Sequence, residues 1–229
     1  MTALENVTVI LAHGAWADGS SWSAVIGPLT QKGLRVFAAP LPLSSLSDDA
    51  AALRRTLART KGPVVVAGHA YAGAVIATAH DERVRGLVYI AALAPARGET
   101  VAEVFYREKA HPMAPELAPD EDGWIWMPEE SFSNAFAHHA TVDQIALLGA
   151  VQRPISVKCI QKAAPEPAWS NKPSWFLIAE EDRMINPKTQ QFMADRMGAH
   201  TRSLAVDHTP LVTAPESVVQ IILAAAQSA

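Results

Sequence analysis

The chain has 229 residues, 49% hydrophobic and 18% charged, with a formal net charge of −4 at pH 7. That length suits one compact domain or a small core carrying an insertion, and the composition belongs to a globular chain, not a disordered one. Without a Lys/Arg cluster, the acidic balance excludes nucleic acid and anionic membrane as obligate partners, because both reward clustered cations.

Short β-branched runs alternate with helical patterns along the chain, the signature of a parallel sheet covered on both faces. Residues 7–12 are apolar on both faces and read as a first strand ending at His13-Gly14. It starts so near Met1 that no signal peptide is expected. Asp18-Gly19-Ser20 opens a helix to about Lys32, with Gly33 as its left-handed cap. Residues 34–38 form a second strand stopped by Pro40 and Pro42. Ser47, followed by Asp48 and Asp49, reads as the N-cap of a helix to about Thr60. Residues 63–67 are the third strand, 71–79 a helix and 85–91 the fourth strand.

The alternation breaks from Pro95 to Lys172, a Pro-rich stretch carrying Phe105, Tyr106, Trp124, Trp126, Phe132, Phe136 and Trp169. It is expected to be a mostly helical lid, residues 95–172, inserted into a core made of 1–94 and 173–229. Residues 173–179 then give the fifth strand, Asn186-Pro187 opens a helix with Pro in its first turn, and 201–206 are the sixth strand. Thr213-Ala214-Pro215-Glu216 reads as a capping box before the last helix. The expected fold is α/β, a doubly wound, mostly parallel six-stranded sheet. No apolar run is long enough to span a bilayer. The single cysteine, Cys159, rules out an internal disulfide and fits a reducing compartment, so a cytoplasmic protein is expected.

The densest motif is Val64-Val65-Val66-Ala67-Gly68-His69-Ala70-Tyr71-Ala72-Gly73. A β-branched strand runs into small residues around one central position, and a helix follows at once. This is the layout of a nucleophile elbow, G-x-S-x-G. The turn is tight, so residues two places either side of its centre must be small. Gly68 meets that demand, and Ala72 with Gly73 behind it is a mild departure. Ala70 is the serious one, since a methyl group cannot attack a carbonyl.

Past the fifth strand stands Glu180-Glu181-Asp182-Arg183-Met184-Ile185-Asn186-Pro187, and past the sixth Asp207-His208-Thr209-Pro210. Asp182 is chosen among the acids as the partner of His208, and Asp207 is too close along the chain to hold that ring. The order 70, 182, 208 is that of nucleophile, acid and histidine in such sites. Acyl transfer also needs two N–H groups aimed at the developing oxyanion, and position suggests those of Tyr71 and of Ala15, in the loop after the first strand. His13 and His69 read as structural. His138 and His139 would lie about 100° apart on a helix, so no shared metal is expected.

Together, "VILAHGAWADGSSW", "VVVAGHAYAG", "AEEDRMINP" and "DHTPLVTAPE" resemble the α/β-hydrolase superfamily, closest to its small esterase branch with plant methyl esterases and hydroxynitrile lyases. The resemblance covers nearly the whole chain outside the lid. It implies a sheet in spatial order 2-1-3-4-5-6, Ala15 and Tyr71 as oxyanion-hole donors, His208 as general base and acid, and Asp182 as its orienter. The expected activity is that of an esterase or lactonase, without cofactor or metal.

Ala70 leaves three explanations open: a serine hydrolase whose nucleophile has been replaced, a non-catalytic binder on the same scaffold, or His208–Asp182 base chemistry without a covalent intermediate, as in a lyase or cofactor-free oxygenase. Trp16, Trp22, Trp124 and Trp126 are expected to line an apolar pocket for a small or aromatic ester or lactone. Oligomeric state is not legible.

Overall fold

In the computed structural model, which describes residues 6–229, the first four strands are Thr8–Ala12 (β1), Arg35–Ala39 (β2), Val64–His69 (β3) and Val84–Ile90 (β4). Between them run the helices Ser23–Gln31 (α1), Leu46–Ala58 (α2) and Ala72–Ile76 (α3). Segment 95–172 adds Val101–Phe105 (α4), Trp124–Ile125 (β5), Glu129–Ser131 (α5, which runs into a π-helical turn, Phe132–Phe136), Val142–Ala150 (α6), Ile155–Ser156 (β6) and Val157–Ile160 (α7). The chain closes with Ser174–Ala179 (β7), Pro187–Met197 (α8), His200–Leu204 (β8), Pro210–Thr213 (α9) and Pro215–Gln227 (α10).

Six strands pair in the order β2-β1-β3-β4-β7-β8, every pair parallel. This is the expected order, with β7 and β8 as the fifth and sixth core strands because β5 and β6 form a separate antiparallel ribbon. Segment 95–172 is thus less helical than its composition suggested. The chain leaves β1 toward β2 on one side and returns to β3 on the other, so the switch point lies between β1 and β3, where α/β sheets bind ligands at their carboxyl ends. Ala12 pairs with Gly68 there, bringing the loop after β1 beside the turn after β3.

Strand alternation sorts the core into two layers. Ile10, Val64 and Val66 point to the face covered by α2, α3 and residues from 95–172, whereas Val9, Leu11, Val65 and Ala67 point to the face covered by α1 and α10.

Several local expectations shift. Ser45, not Ser47, caps α2, accepting from the Asp48 N–H at 3.1 Å. α1 is preceded by a 3-10 turn, Gly19–Trp22, capped by Asp18, and Gly33 has φ 89°. The helix after β3 is regular only over Ala72–Ile76. The Thr213 capping box does not form: that hydroxyl donates to Asp207 Oδ1 at 2.6 Å, and Ala214 stands at the N-cap of α10. β8 ends at Leu204 because Val206 N–H turns back to the Leu204 carbonyl.

Candidate active site

Ala70 follows β3 with φ 50°, a left-handed conformation unfavourable for any residue with a Cβ. Its neighbours hold it there. Ala70 N–H donates to the Ile90 carbonyl at 3.2 Å, and Leu93 N–H donates to the Ala70 carbonyl at 3.0 Å. A Cβ on Gly68 would stand 2.8 Å from the Ala72 carbonyl oxygen. One on Gly73 would stand 2.9 Å from Ala92 Cβ and closer still to the Leu93 carbonyl oxygen. The two positions that must be glycine are therefore 68 and 73, which explains why Ala72 is tolerated. Gly14 is a third close approach, where a Cβ would come within 3.0 Å of Ala70 Cβ. Motif reading did not single it out, although its place beside the strand-end histidine was a usable signal.

His208 and Asp182 meet. His208 Nδ1–H donates to Asp182 Oδ2 at 2.8 Å, with side chains 2% and 0% exposed. Asp182 is otherwise saturated: Oδ1 accepts from Met184 N–H at 2.7 Å and Ile185 N–H at 2.8 Å, and Oδ2 accepts from Gln190 Nε2 at 2.8 Å. Gln190, fully buried on α8, also accepts from Ala179 N–H and donates to the Ile185 carbonyl. Sequence reading missed it. The available signal was a polar residue in register with buried Met193 and Ala194 at the helical spacing i, i+3, i+4.

His69 Nε2–H donates to the His208 carbonyl at 2.7 Å, and burial holds the His69 imidazole well below the usual histidine range. It braces the loop as a neutral ring. His13 is buried too, its Nδ1 3.0 Å from the Gly14 carbonyl oxygen. Asp207 does not touch the His208 ring; its carboxylate accepts from His139 N–H, Thr209 N–H and Thr213 Oγ1.

Ala70, Tyr71, Ala15 and His208 line one cavity. Among the described residues, no acceptor takes up the N–H of Ala15 or of Tyr71, and no partner binds His208 Nε2. The Tyr71 hydroxyl is turned away, donating to Asp49 Oδ2 at 2.7 Å. Asp49 is fully buried, also accepts from Leu43 N–H at 2.8 Å, and has its carboxyl pushed above the usual range by burial.

The cavity wall is apolar, built by Trp16, Leu93, Phe105, Phe136, Met184 and Ile185 among others. Of the four tryptophans expected there, only Trp16 reaches it, its Nε1–H donating to the Ile125 carbonyl at 2.9 Å. Trp22 is buried in the opposite layer with Val9 and Leu11, because the 3-10 turn sends it under α1. Trp124 sits half-buried in the β5–β6 ribbon and Trp126 is 51% exposed, so neither lines the cavity. The helical premise for His138 and His139 also fails. They stand in a turn after the π-helical turn, and one ligating atom from each lies within 4.8 Å of one from Glu181.

The chain superposes on solved structures that cover it almost end to end. It is similar to polyneuridine aldehyde esterase (TM-score 0.82, 15% identity, 96% of this chain and 98% of that one). It is also similar to a pyrethroid hydrolase from Sphingobium faniae JZ-2 (0.79, 21%, 96% and 97%). A variant of tomato methylketone synthase I matches as well (0.80, 16%, 96% and 97%). At these identities the likeness is one of fold. A search of curated protein sequences returns no match. The alpha/beta hydrolase family model matches residues 9–221, and the chain belongs to that family.

Proposed function

We propose that this is an ester- or lactone-hydrolase site that retains every group supporting a nucleophile and lacks the nucleophile itself. The observation that carries the reading is the turn at Ala70: a strained φ of 50° presents one small side chain to the cavity that also holds His208. A site used only for binding has no need of that strain.

With a hydroxyl on residue 70, His208 Nε2 would take its proton as the oxygen attacks a carbonyl carbon. Asp182 would steady the imidazolium through Nδ1–H, and the free N–H groups of Ala15 and Tyr71 would receive the oxyanion. The imidazolium would then return the proton to the leaving alcohol, and water would repeat the cycle on the acyl-enzyme. As written, the chain binds such a substrate and does not form the acyl intermediate. The apolar wall favours small or aromatic apolar acyl and alcohol groups, in keeping with a fold shared with an esterase and a pyrethroid hydrolase.

The test is Ala70→Ser, assayed on short-chain p-nitrophenyl esters and on aromatic esters and lactones. Turnover should rise by a factor on the order of 10⁶, which is what a missing triad nucleophile removes. A folded Ala70→Ser protein without burst or turnover on the panel would sink the proposal. One observation favours a second reading: His208 Nε2 faces the cavity uncommitted, so the dyad can act directly as a base in a lyase-type reaction. Activity of the unsubstituted chain that disappears in His208→Ala would select it, and saturable ligand binding with both forms silent would select a binder.

A further inference from the structure

A cluster of ligating side chains outside the dyad joins two parts of the chain that are distant in sequence. His138 and His139 belong to segment 95–172, and Glu181 stands just past β7, next to Asp182. One ligating atom from each lies within 4.8 Å of the others. The two imidazole centroids are 4.4 Å apart, and His139 Nε2 is 2.9 Å from Glu181 Oε2. We propose that His138, His139 and Glu181 form a binding site for a borderline divalent cation of the zinc type, which ties segment 95–172 to the carboxyl edge of the sheet.

The donor set selects the ion. Two imidazoles and one carboxylate suit Zn²⁺, Co²⁺ or Ni²⁺, whereas Mg²⁺ and Ca²⁺ demand oxygen ligands. Three protein ligands leave a fourth tetrahedral position for water. Two of the ligand backbones are already anchored without an ion. His139 N–H donates to the buried carboxylate of Asp207 at 2.9 Å, and Glu181 N–H donates to the Val206 carbonyl at 3.1 Å. Ordering the site therefore costs little backbone entropy.

His138 Nδ1 is buried and has no hydrogen-bond partner among the described residues. Arg183 stands near His138. Its guanidinium donates to the Asn134 carbonyl at 2.8 Å, and Asp207 opposes its charge. The ion would sit between the turn that follows Phe136, a wall of the cavity, and the residue beside the acid of the dyad. Its mechanical effect is a clasp on that side of the site.

The experiment uses tag-free full-length protein stripped with chelator and dialysed. Co²⁺ is titrated by its d–d absorption and Zn²⁺ by calorimetry, each followed by thermal unfolding. Hydrogen exchange of residues 132–139 is then measured with and without Zn²⁺. Expected are one saturable equivalent, a Tm rise of several degrees, slower exchange over 132–139, and weakening by about tenfold or more in His139→Asn and in Glu181→Gln. Both side chains are substantially exposed, 40% and 47%, so these variants are expected to fold, with far-UV circular dichroism as the check. No saturable binding, or binding that survives the His138→Asn/His139→Asn double variant, overturns the site. Stoichiometric binding that leaves exchange unchanged overturns the clasp. None of these readouts depends on turnover, so the result is independent of the reading given to Ala70.

Discussion

Replacing Asp182 by Asn changes one atom at the most saturated point of the candidate site. Both carboxylate oxygens accept two hydrogen bonds: Oδ1 from Met184 and Ile185 N–H, Oδ2 from Gln190 Nε2 and His208 Nδ1. An amide keeps one oxygen, so one pair of donors must face an NH₂ group. Backbone N–H groups cannot reorient, so the nitrogen is expected on the Oδ2 side. His208 can answer by moving its proton to Nε2 and accepting at Nδ1. Gln190 cannot answer without cost, because flipping its amide breaks its bonds to Ala179 N–H and the Ile185 carbonyl. One buried donor-to-donor contact remains, and a charge-assisted bond is lost. The expected destabilisation is about 2–4 kcal/mol. For a domain of this size that lowers Tm by roughly 5–15 °C. Urea and thermal unfolding of the Ala70 protein read the stability, and ¹⁵N chemical shifts of the His208 ring read the tautomer. A loss below about 0.5 kcal/mol, or a His208 ring still protonated at Nδ1, would refute the reasoning.

Three further outcomes follow from the same geometry. Gly73→Ala should cost about 3 kcal/mol or more, or abolish folding, because the new methyl meets Ala92 Cβ at 2.9 Å and the Leu93 carbonyl on rigid backbone; soluble yield and chemical denaturation check it. Tyr71→Phe removes a donor from the buried carboxyl of Asp49 and should cost about 1.5–3 kcal/mol at pH 7. Because burial raises the folded pKa of Asp49, the folded state holds that proton more tightly than the unfolded chain, so this group erodes stability as pH rises above 3.8. The Tyr71 donor lowers the Asp49 pKa, so its loss raises that pKa further in the variant, and the gap between the two proteins should narrow as pH falls toward 3.8; a gap flat with pH would rule this account out. Ala70→Gly relieves a left-handed Cβ and should raise stability by up to about 1 kcal/mol, readable as a small rise in urea midpoint.

The features legible in the sequence are those in which backbone geometry dictates residue type. A tight strand-to-helix turn needs glycine, a helix start accepts proline, and both survive in "VVVAGHAYAG" and "EDRMINP". These motifs, with the order 70, 182, 208, located the residues that the fold gathers at the sheet edge. Segment 95–172 was less legible because its elements are short and borrow partners from afar. Trp16 and Trp22 are both apolar and six residues apart, yet one packs beside Ala70 and the other under the opposite face. Hydrophobicity alone cannot tell which side of the sheet receives them. Helical periodicity separates His138 from His139, but the helix ends with the π-helical turn Phe132–Phe136 and both stand in the turn that follows. Ser45 displaced Ser47, and Thr213 turned to Asp207, since a hydroxyl caps a helix only where no stronger acceptor or earlier cap competes.

The strain at residue 70 is sustained by groups that do not touch its side chain. The turn is held by the Ile90 carbonyl, the Leu93 N–H and the absence of Cβ atoms at 68 and 73. Each would persist whether residue 70 carries a methyl or a hydroxymethyl group. A hydroxymethyl group at residue 70 should therefore leave the turn standing and stability within about 0.5 kcal/mol of the present chain. This separability makes Ala70→Ser a clean probe, because a change in turnover can be read as chemistry rather than refolding. The dyad behaves differently. Asp182, Gln190 and His208 share their hydrogen bonds, so disturbing any one reaches the other two, and stability and chemistry there will move together.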